Sequence, residues 1–225
     1  MKFAFYTTVF SDLSLEEVAG WAKGAGFDGV EIDFGRHIRE PENTATAVGI
    51  ARETGLEVCA ITLFGNLLDR DADARNRTRN RVIQVFGEAT RMNIPALVVF
   101  PGRNESVSEE QNYEDISEFF EGLLATGKGG TKVLIENWPG MNKNFVATTP
   151  GGWRRLFFLV KSPSLGLEFR SVASALAGDR PGPGCARIWK SDSGRPCKGR
   201  EAQPGSNSGC RVLRELVGIP VARAR

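Results

Sequence analysis

The chain has 225 residues, of which 41% are hydrophobic and 25% are charged, and its formal net charge is +2. These values are typical of a globular protein with a sizeable core. No run of eighteen apolar residues occurs, so we expect no membrane span. The amino-terminal segment MKFAFYTTVFSDLS breaks at polar residues too early for a secretory signal, which predicts a cytoplasmic protein.

Charge and cysteine are distributed unevenly along the chain. Residues 170–225 contain 11 Lys or Arg and 4 Asp or Glu, whereas residues 1–169 contain 18 Lys or Arg and 23 Asp or Glu. Three of the four cysteines also lie after residue 170, but no CxxC pair occurs, so a zinc-binding module is not expected. The Arg-rich segment 75–81 has no interleaved aromatic residues, and we therefore expect no nucleic-acid partner.

Residues 1–169 have the pattern of strands that alternate with helices. The strands are predicted in the segments KFAFYT, FDGVEID, LEVCAITLF, IPALVVFPG, TKVLIENW and SLGLEF. The first helix covers SLEEVAGWAKGAG, where Ser14 is a candidate N-cap and Glu17 follows three residues later. The remaining helices are predicted over roughly 42–54, 73–92, 111–125 and 150–160.

Six strands in this alternation predict a parallel α/β sheet with helical crossovers. An open doubly wound sheet and a (β/α)8 barrel both fit, and the barrel is favoured because the first turn, TTVFSDLS, contains no GxGxxG. A barrel needs eight strands, so residues 1–169 form an incomplete one. Residues 170–225 are predicted to be an irregular, basic, Gly/Pro-rich tail. Open sheet edges favour association, so we keep a homo-oligomer among the expectations.

Chemistry in such a fold is expected at the carboxyl ends of the strands. Glu136 ends an apolar strand, where a carboxylate must be paired with a Lys or Arg or must bind a cation or substrate. Asn137 and Trp138 add an amide and a flat apolar wall that suit a polyol. Glu31 is a candidate for substrate binding or a structural ion pair, and Asn66 for substrate binding or turn formation.

An ordered set of segments resembles a known family. FDGVEI, ITLFGN, IPALVVFPG, VLIENWPGM, NFVATTPGGWRRLF and SLGLEF together resemble the sugar phosphate isomerase/epimerase family, which has the xylose isomerase-like TIM barrel. The resemblance implies a small sugar or polyol substrate and a divalent cation such as Mn²⁺, Mg²⁺, Co²⁺ or Zn²⁺. It also implies proton transfer between adjacent carbons, with Glu136 as a metal ligand and catalytic carboxylate.

The chain departs from the family pattern after the sixth strand. Members bind the cation with a Glu after strand five, an Asp after strand six, a His after strand seven and a Glu after strand eight. Only the first ligand maps here, onto Glu136, and the family's L-x-F-D-P-S-H is replaced by LEFRSVA at residues 167–173. We therefore expect an impaired isomerase/epimerase. The alternatives are a non-catalytic truncated barrel fragment and an endonuclease IV-like DNA repair enzyme, for which more histidines would be expected.

A shift of reading frame would explain why both pattern and composition change at Arg170. When bases two and three of each codon are read with base one of the next, the codons of residues 170–173 permit Asp-Pro-Ser-His. Degenerate codons through Trp189 permit the continuation LRWQGIDPVRAVREFG, and residues 196–199 permit His-Ala-Lys-Asp. One extra nucleotide near the Phe169 and Arg170 codons would therefore place residues 170–225 out of frame.

Resequencing the coding region tests this hypothesis. We expect that removal of one nucleotide near the Phe169 and Arg170 codons restores an uninterrupted frame that begins Asp-Pro-Ser-His and continues with a seventh strand. A second frame that is broken by stop codons, or that lacks this motif, would contradict the hypothesis.

Overall fold

The computed structural model describes residues 2–127 and 130–170, so the predicted tail over residues 171–225 lies outside the described residues. Six parallel strands form one sheet in the sequential order β1-β2-β3-β4-β5-β6. The strands are β1 Ala4–Tyr6, β2 Gly29–Phe34, β3 Glu57–Leu63, β4 Ala96–Val99, β5 Lys132–Glu136 and β6 Leu165–Glu168. The helices are α1 Leu15–Gly24, α2 Thr44–Glu53, α3 Ala72–Arg91, α4 Glu109–Thr126 and α5 Pro150–Leu159, with short 3₁₀ turns at Thr7–Phe10 and Pro41–Asn43.

The sequential strand order decides between the two architectures that the sequence left open. In a doubly wound sheet the strand order reverses at a switch point, whereas each strand here pairs with the next one along the chain. The described residues therefore form five β/α units and the strand of a sixth, out of the eight units of a barrel, and the predicted incomplete TIM barrel is confirmed. In this part of the chain, β1 and β6 are the edge strands. None of the described helices is long and apolar enough to cross a bilayer.

Side-chain caps determine where the helices begin. Ser14 Oγ accepts a hydrogen bond from Glu17 N at 3.2 Å, and Glu17 Oε2 accepts one from Ser14 N at 2.8 Å, which confirms the predicted capping box. Caps of the same kind occur at α3, α4 and α5. There, the side chains of Asp71, Ser108 and Thr149 each accept from a backbone N–H three residues later.

The two faces of the sheet carry different side chains because successive strand residues point in opposite directions. Outward-facing residues such as Ile32, Leu97 and Ile135 belong to the large core between sheet and helices. The inward face contains a small apolar layer that consists of Ala4, Cys59, Ala60, Ala96, Val98 and Leu134. The residues two positions after Ala4, Ala60 and Leu134 also point into the barrel, nearer to the carboxyl ends of the strands.

Gly29 allows β2 and β3 to approach closely. A Cβ atom at Gly29 would lie 2.6 Å from the backbone oxygen of Glu57, its register partner, whereas a Cβ at Gly49 on α2 would meet nothing within 4 Å. We expect Gly29→Ala to lower the free energy of unfolding by about 1–3 kcal/mol because the backbones must separate. Gly49→Ala is the matched control and should raise it by up to about 1 kcal/mol. Urea unfolding followed by circular dichroism measures both, and equal effects would contradict this packing.

Candidate functional site

Five polar side chains form one layer inside the carboxyl end of the sheet. Tyr6, Thr62 and Glu136 lie two residues beyond Ala4, Ala60 and Leu134 of the inward apolar layer. Strand pairing aligns Tyr6 with Glu31, and it aligns Glu136 with Glu168. The three glutamates of β2, β5 and β6 are all buried, and their contacts with one side chain show that they converge inside the barrel.

Arg170 places its guanidinium among these three glutamates. Its Nη2 lies 2.6 Å from Glu31 Oε1 and 2.7 Å from Glu168 Oε1, and its Nε lies 3.2 Å from Glu136 Oε2. The contact with Glu136 is an ion pair without hydrogen-bond alignment, since Arg170 Nε has no hydrogen-bond partner in the described part of the chain. The guanidinium carbon also lies 4.5 Å from the ring centre of Tyr6. One cation thus contacts three carboxylates and an aromatic face.

Asn137 holds the backbone of Arg170 in position. Arg170 N donates to Asn137 Oδ1 at 2.7 Å, and Asn137 Nδ2 donates to Arg170 O at 3.0 Å. Glu136 and Glu168 are the last register pair between β5 and β6, so this pair of hydrogen bonds extends the strand pairing by means of a side chain. Asn137 is fully buried, and its carboxamide therefore determines where the Arg170 side chain starts.

Two further polar groups orient the glutamate cluster from β1 and β3. The Thr62 hydroxyl donates a hydrogen bond to Glu31 Oε1. The Tyr6 hydroxyl donates to Asp33 Oδ2 at 2.7 Å, and Asp33 N donates to Thr7 Oγ1 at 3.0 Å. Burial and then the negative charges of Glu31 and Asp33 raise the pKa of Tyr6. Tyr6 therefore stays protonated and donates to a carboxylate.

Burial also changes the protonation of the glutamates. It raises the pKa of Glu136 to about 7, an effect that the charge of Arg170 opposes and that of Glu31 reinforces. The pKa of Glu168 is raised well above its usual range, first by burial and then by the charge of Glu31. Glu168 Oε2 is buried and has no hydrogen-bond partner among residues 2–127 and 130–170. One guanidinium does not balance three carboxylates, and the pKa values of Glu136 and Glu168 are therefore raised in spite of the charge of Arg170.

Aromatic side chains that follow β3, β4 and β5 along the chain pack together and form an aromatic wall. The ring centres of Phe64 and Trp138 are 5.0 Å apart, and both rings contact Phe100, at 5.0 and 5.9 Å. Phe145 closes the group at 5.7 Å from Trp138. Phe64 is 55% exposed, which is unusual for a large apolar side chain within an aromatic cluster.

Asn66 joins the loops that follow β3 and β4. Its Nδ2 donates to Arg103 O at 2.9 Å, and its Oδ1 accepts from Arg103 N and Leu68 N, each at 3.0 Å. Gly102 lies against it at φ +80°, where a Cβ atom would lie 1.8 Å from Asn66 Oδ1. The Asn66 carboxamide is thus engaged with backbone groups, although it lies at the predicted end of the sheet.

The structure brings together some of the predicted site residues and adds others. Glu31 and Glu136 lie in one cluster, and Asn137 is joined to that cluster through Arg170. Trp138 belongs to the aromatic wall, and Asn66 lies in the neighbouring loop contact. Tyr6 and Thr62 are absent from the predicted site. Their signal is positional, because each follows an inward-facing alanine by two residues.

The residues present do not fit the divalent cation that the family resemblance implies. Of the expected ligands only Glu136 maps onto the chain, and the position of the expected Asp is taken by Arg170. The Arg170 guanidinium contacts all three glutamates, so their oxygens face a cation that the chain itself supplies. Within residues 2–127 and 130–170, no group of three or more His, Cys, Asp or Glu could hold a metal ion.

The raised pKa of Glu136 predicts a pH dependence of stability. In the folded state Glu136 holds its proton up to about pH 7, whereas the ordinary pKa of a glutamate is 4.5. The stability contributed by this proton is complete below pH 4.5 and is lost as pH rises towards 7. We expect Glu136→Gln to reduce this loss of unfolding free energy by roughly 1–3 kcal/mol, as measured by urea unfolding at a series of pH values. Glu57→Gln, at an exposed ion pair, is the control, and an unchanged slope in the Glu136 variant would contradict the assignment.

Comparison with solved structures supports the barrel architecture. The probable 3-DHS dehydratase AsbF from Bacillus anthracis, involved in petrobactin synthesis, is 19% identical, with a TM-score of 0.63 over 80% of this chain and 67% of that one. A D-psicose 3-epimerase crystallised in the presence of D-fructose is 16% identical, with a TM-score of 0.64 and the same coverage. An IOLI protein with a bound zinc atom is 17% identical, with a TM-score of 0.65 over 80% of this chain and 66% of that one.

These comparisons establish the family and the fold. The chain spans about two thirds of the length of the solved structures it resembles, and at these identities the likeness shows the fold alone. No curated protein matches the sequence. The family model described as xylose isomerase-like TIM barrel matches residues 19–175, which is more than half of the chain. The chain therefore belongs to the xylose isomerase-like TIM-barrel family, whose structural relatives include sugar epimerases.

Proposed function

We propose that this chain derives from a divalent-metal-dependent sugar or sugar-phosphate isomerase/epimerase and is impaired in proton transfer between adjacent carbons. The observation that carries the proposal is the contact of the Arg170 guanidinium with Glu31, Glu136 and Glu168. A carboxylate that transfers a proton to and from a sugar carbon must reach that carbon and exchange its proton. A glutamate that is buried against an arginine cannot reach a sugar carbon while the ion pair persists.

The proposal assigns different roles to the predicted site residues. Glu136 occupies the position of the proton-transferring carboxylate of the ancestral reaction, and Glu31 faces it across the cluster. Trp138 and the half-exposed Phe64 form an apolar surface that suits the C–H face of a sugar ring. Asn66 and Asn137 are engaged with backbone groups, so we assign them to holding the loops that surround the sugar.

The same proposal includes the partner, the compartment and the division of the chain. A small sugar or polyol is the expected ligand, since a D-psicose 3-epimerase shares the fold. The zinc atom bound to the IOLI protein supports a metal-dependent ancestor. The free cysteine, Cys59, suits a reducing cytoplasm. We keep residues 1–169 as the partial barrel and 170–225 as an out-of-frame tail, with Arg170 as the first residue after the change.

A non-catalytic barrel fragment is the second candidate. It is favoured by the same observation, because a cluster occupied by Arg170 has no free carboxylate to act on a substrate. The two candidates differ in one property, namely whether the aromatic wall still binds sugar. Sugar binding without turnover supports the impaired enzyme, and absence of both supports the fragment.

Nuclear magnetic resonance of the full chain with D-fructose in D₂O and MnCl₂ measures binding and proton exchange together. We expect saturation transfer from protein to sugar, and no loss of the sugar C3–H signal beyond the protein-free rate. Trp138→Ala should reduce the saturation transfer at least about threefold, since one aromatic contact contributes about 0.5–1.5 kcal/mol. Trp21→Ala, at a 45% exposed tryptophan on α1, is the control. Enzyme-dependent C3–H exchange would contradict the impairment, and equal losses in both variants would contradict the role of Trp138.

A further inference from the structure

Three buried carboxylates converge on one point inside the barrel. The oxygens of Glu31, Glu136 and Glu168 lie 2.6, 3.2 and 2.7 Å from nitrogens of a single guanidinium. Their exposed side-chain fractions are 3, 8 and 3%. Carboxylates in such surroundings are strongly destabilised unless a cation or protons compensate them. The barrel interior therefore requires positive charge at this point, whatever reaction the chain supports.

We propose that Arg170 is an internal cation that takes the place of a bound metal ion and makes the folding of this acidic cluster independent of metal. The guanidinium is the compensating charge because it contacts all three carboxylates at once. An arginine is charged at every physiological pH and is more weakly hydrated than an ammonium group, so it suits a buried position. The inference concerns charge compensation and does not depend on sugar binding.

Neighbouring groups hold the guanidinium in place. Asn137 Oδ1 accepts a hydrogen bond from Arg170 N at 2.7 Å, and Asn137 Nδ2 donates one to Arg170 O at 3.0 Å. These two bonds fix the backbone from which the Arg170 side chain extends. The Tyr6 ring lies 4.5 Å from the guanidinium carbon and supports one face of it. Arg170 is therefore positioned from β1 and β5 as well as by the carboxylates, which distinguishes it from a surface ion pair.

Removal of Arg170 leaves an acidic cluster without its cation. The oxygens of Glu31, Glu136 and Glu168 would face one another, and Glu168 Oε2 is a further buried acceptor for which the described residues supply no partner. Carboxylate oxygens are ligands that Mn²⁺ and Mg²⁺ prefer. A neutral residue at position 170 should therefore convert a metal-independent cluster into one that gains stability from a divalent cation.

The test uses the full chain and MnCl₂ as the probe. We expect no heat of binding when the wild-type chain is titrated with MnCl₂ in a calorimeter, and no change in its midpoint of thermal unfolding. Arg170→Met should lower that midpoint by about 10 °C because it leaves buried charge uncompensated. Addition of 1 mM MnCl₂ should restore at least half of the loss. Arg155→Met removes an arginine that packs on Tyr113, and it should leave the chain unresponsive to MnCl₂.

Each arm can overturn the proposal. Stoichiometric binding of Mn²⁺ to the wild-type chain would do so without any variant, as would an Arg170→Met chain with the wild-type midpoint or without a response to MnCl₂. Should Arg170→Met fail to fold, the double variant Arg170→Met/Glu168→Gln removes one uncompensated carboxylate and is expected to recover folded protein. A double variant no more stable than the single one contradicts the proposal. None of these outcomes depends on sugar binding. The proposed function is therefore tested separately, by the experiment with D-fructose.

Discussion

The contact between the Arg170 guanidinium and three buried glutamates is the interaction on which the carboxyl end of this barrel depends. Glu31, Glu136 and Glu168 come from β2, β5 and β6, and their side chains converge inside the barrel on the Arg170 guanidinium. Burial of several carboxylates together is among the most unfavourable arrangements in a protein unless positive charge accompanies it. Arg170 supplies that charge within hydrogen-bonding distance of Glu31 and Glu168.

The sheet prepares this arrangement through its alternation of faces. A layer of small apolar side chains, which includes Ala60 and Leu134, fills the barrel below the cluster. The next inward-facing residues towards the carboxyl ends of the strands carry hydroxyl and carboxyl groups. The interior therefore changes from apolar to polar over two residues along a strand. A helix between successive strands then returns the chain to the next strand. Asn137 adds one hydrogen-bonded step between the ends of β5 and β6 and thereby connects the fold to the position of Arg170.

Much of the fold could be predicted from the sequence because local signals agreed with one another. The Ser14–Glu17 capping box, the apolar period of the long third helix and the buried run in IPALVVFPG each indicate one element, and all three elements are observed. The order of the strands in the sheet was open from periodicity alone, since doubly wound sheets and barrels share the same alternation. Strand pairing decides between them, and pairing depends on contacts between distant residues.

The candidate site was only partly predictable for a related physical reason. Glu31 and Glu136 stand out in sequence because each interrupts an apolar strand. Tyr6 and Thr62 do not stand out, because their importance comes from facing inward: Tyr6 is the register partner of Glu31, and the Thr62 hydroxyl donates to Glu31 Oε1. Arg170 is marked in sequence as the residue where the family pattern ends. Its position among three carboxylates depends on the Asn137 contact and on the convergence of three strands, which no local pattern encodes.

The role of Arg170 can be tested by a crystal structure of the full chain grown with MnCl₂, with diffraction data collected at the manganese absorption edge. We expect the Arg170 guanidinium to lie within hydrogen-bonding distance of Glu31 and Glu168, beside Glu136, and we expect no anomalous peak between these carboxylates. An anomalous peak coordinated by Glu31, Glu136 and Glu168, with the Arg170 side chain turned out of the barrel, would contradict it.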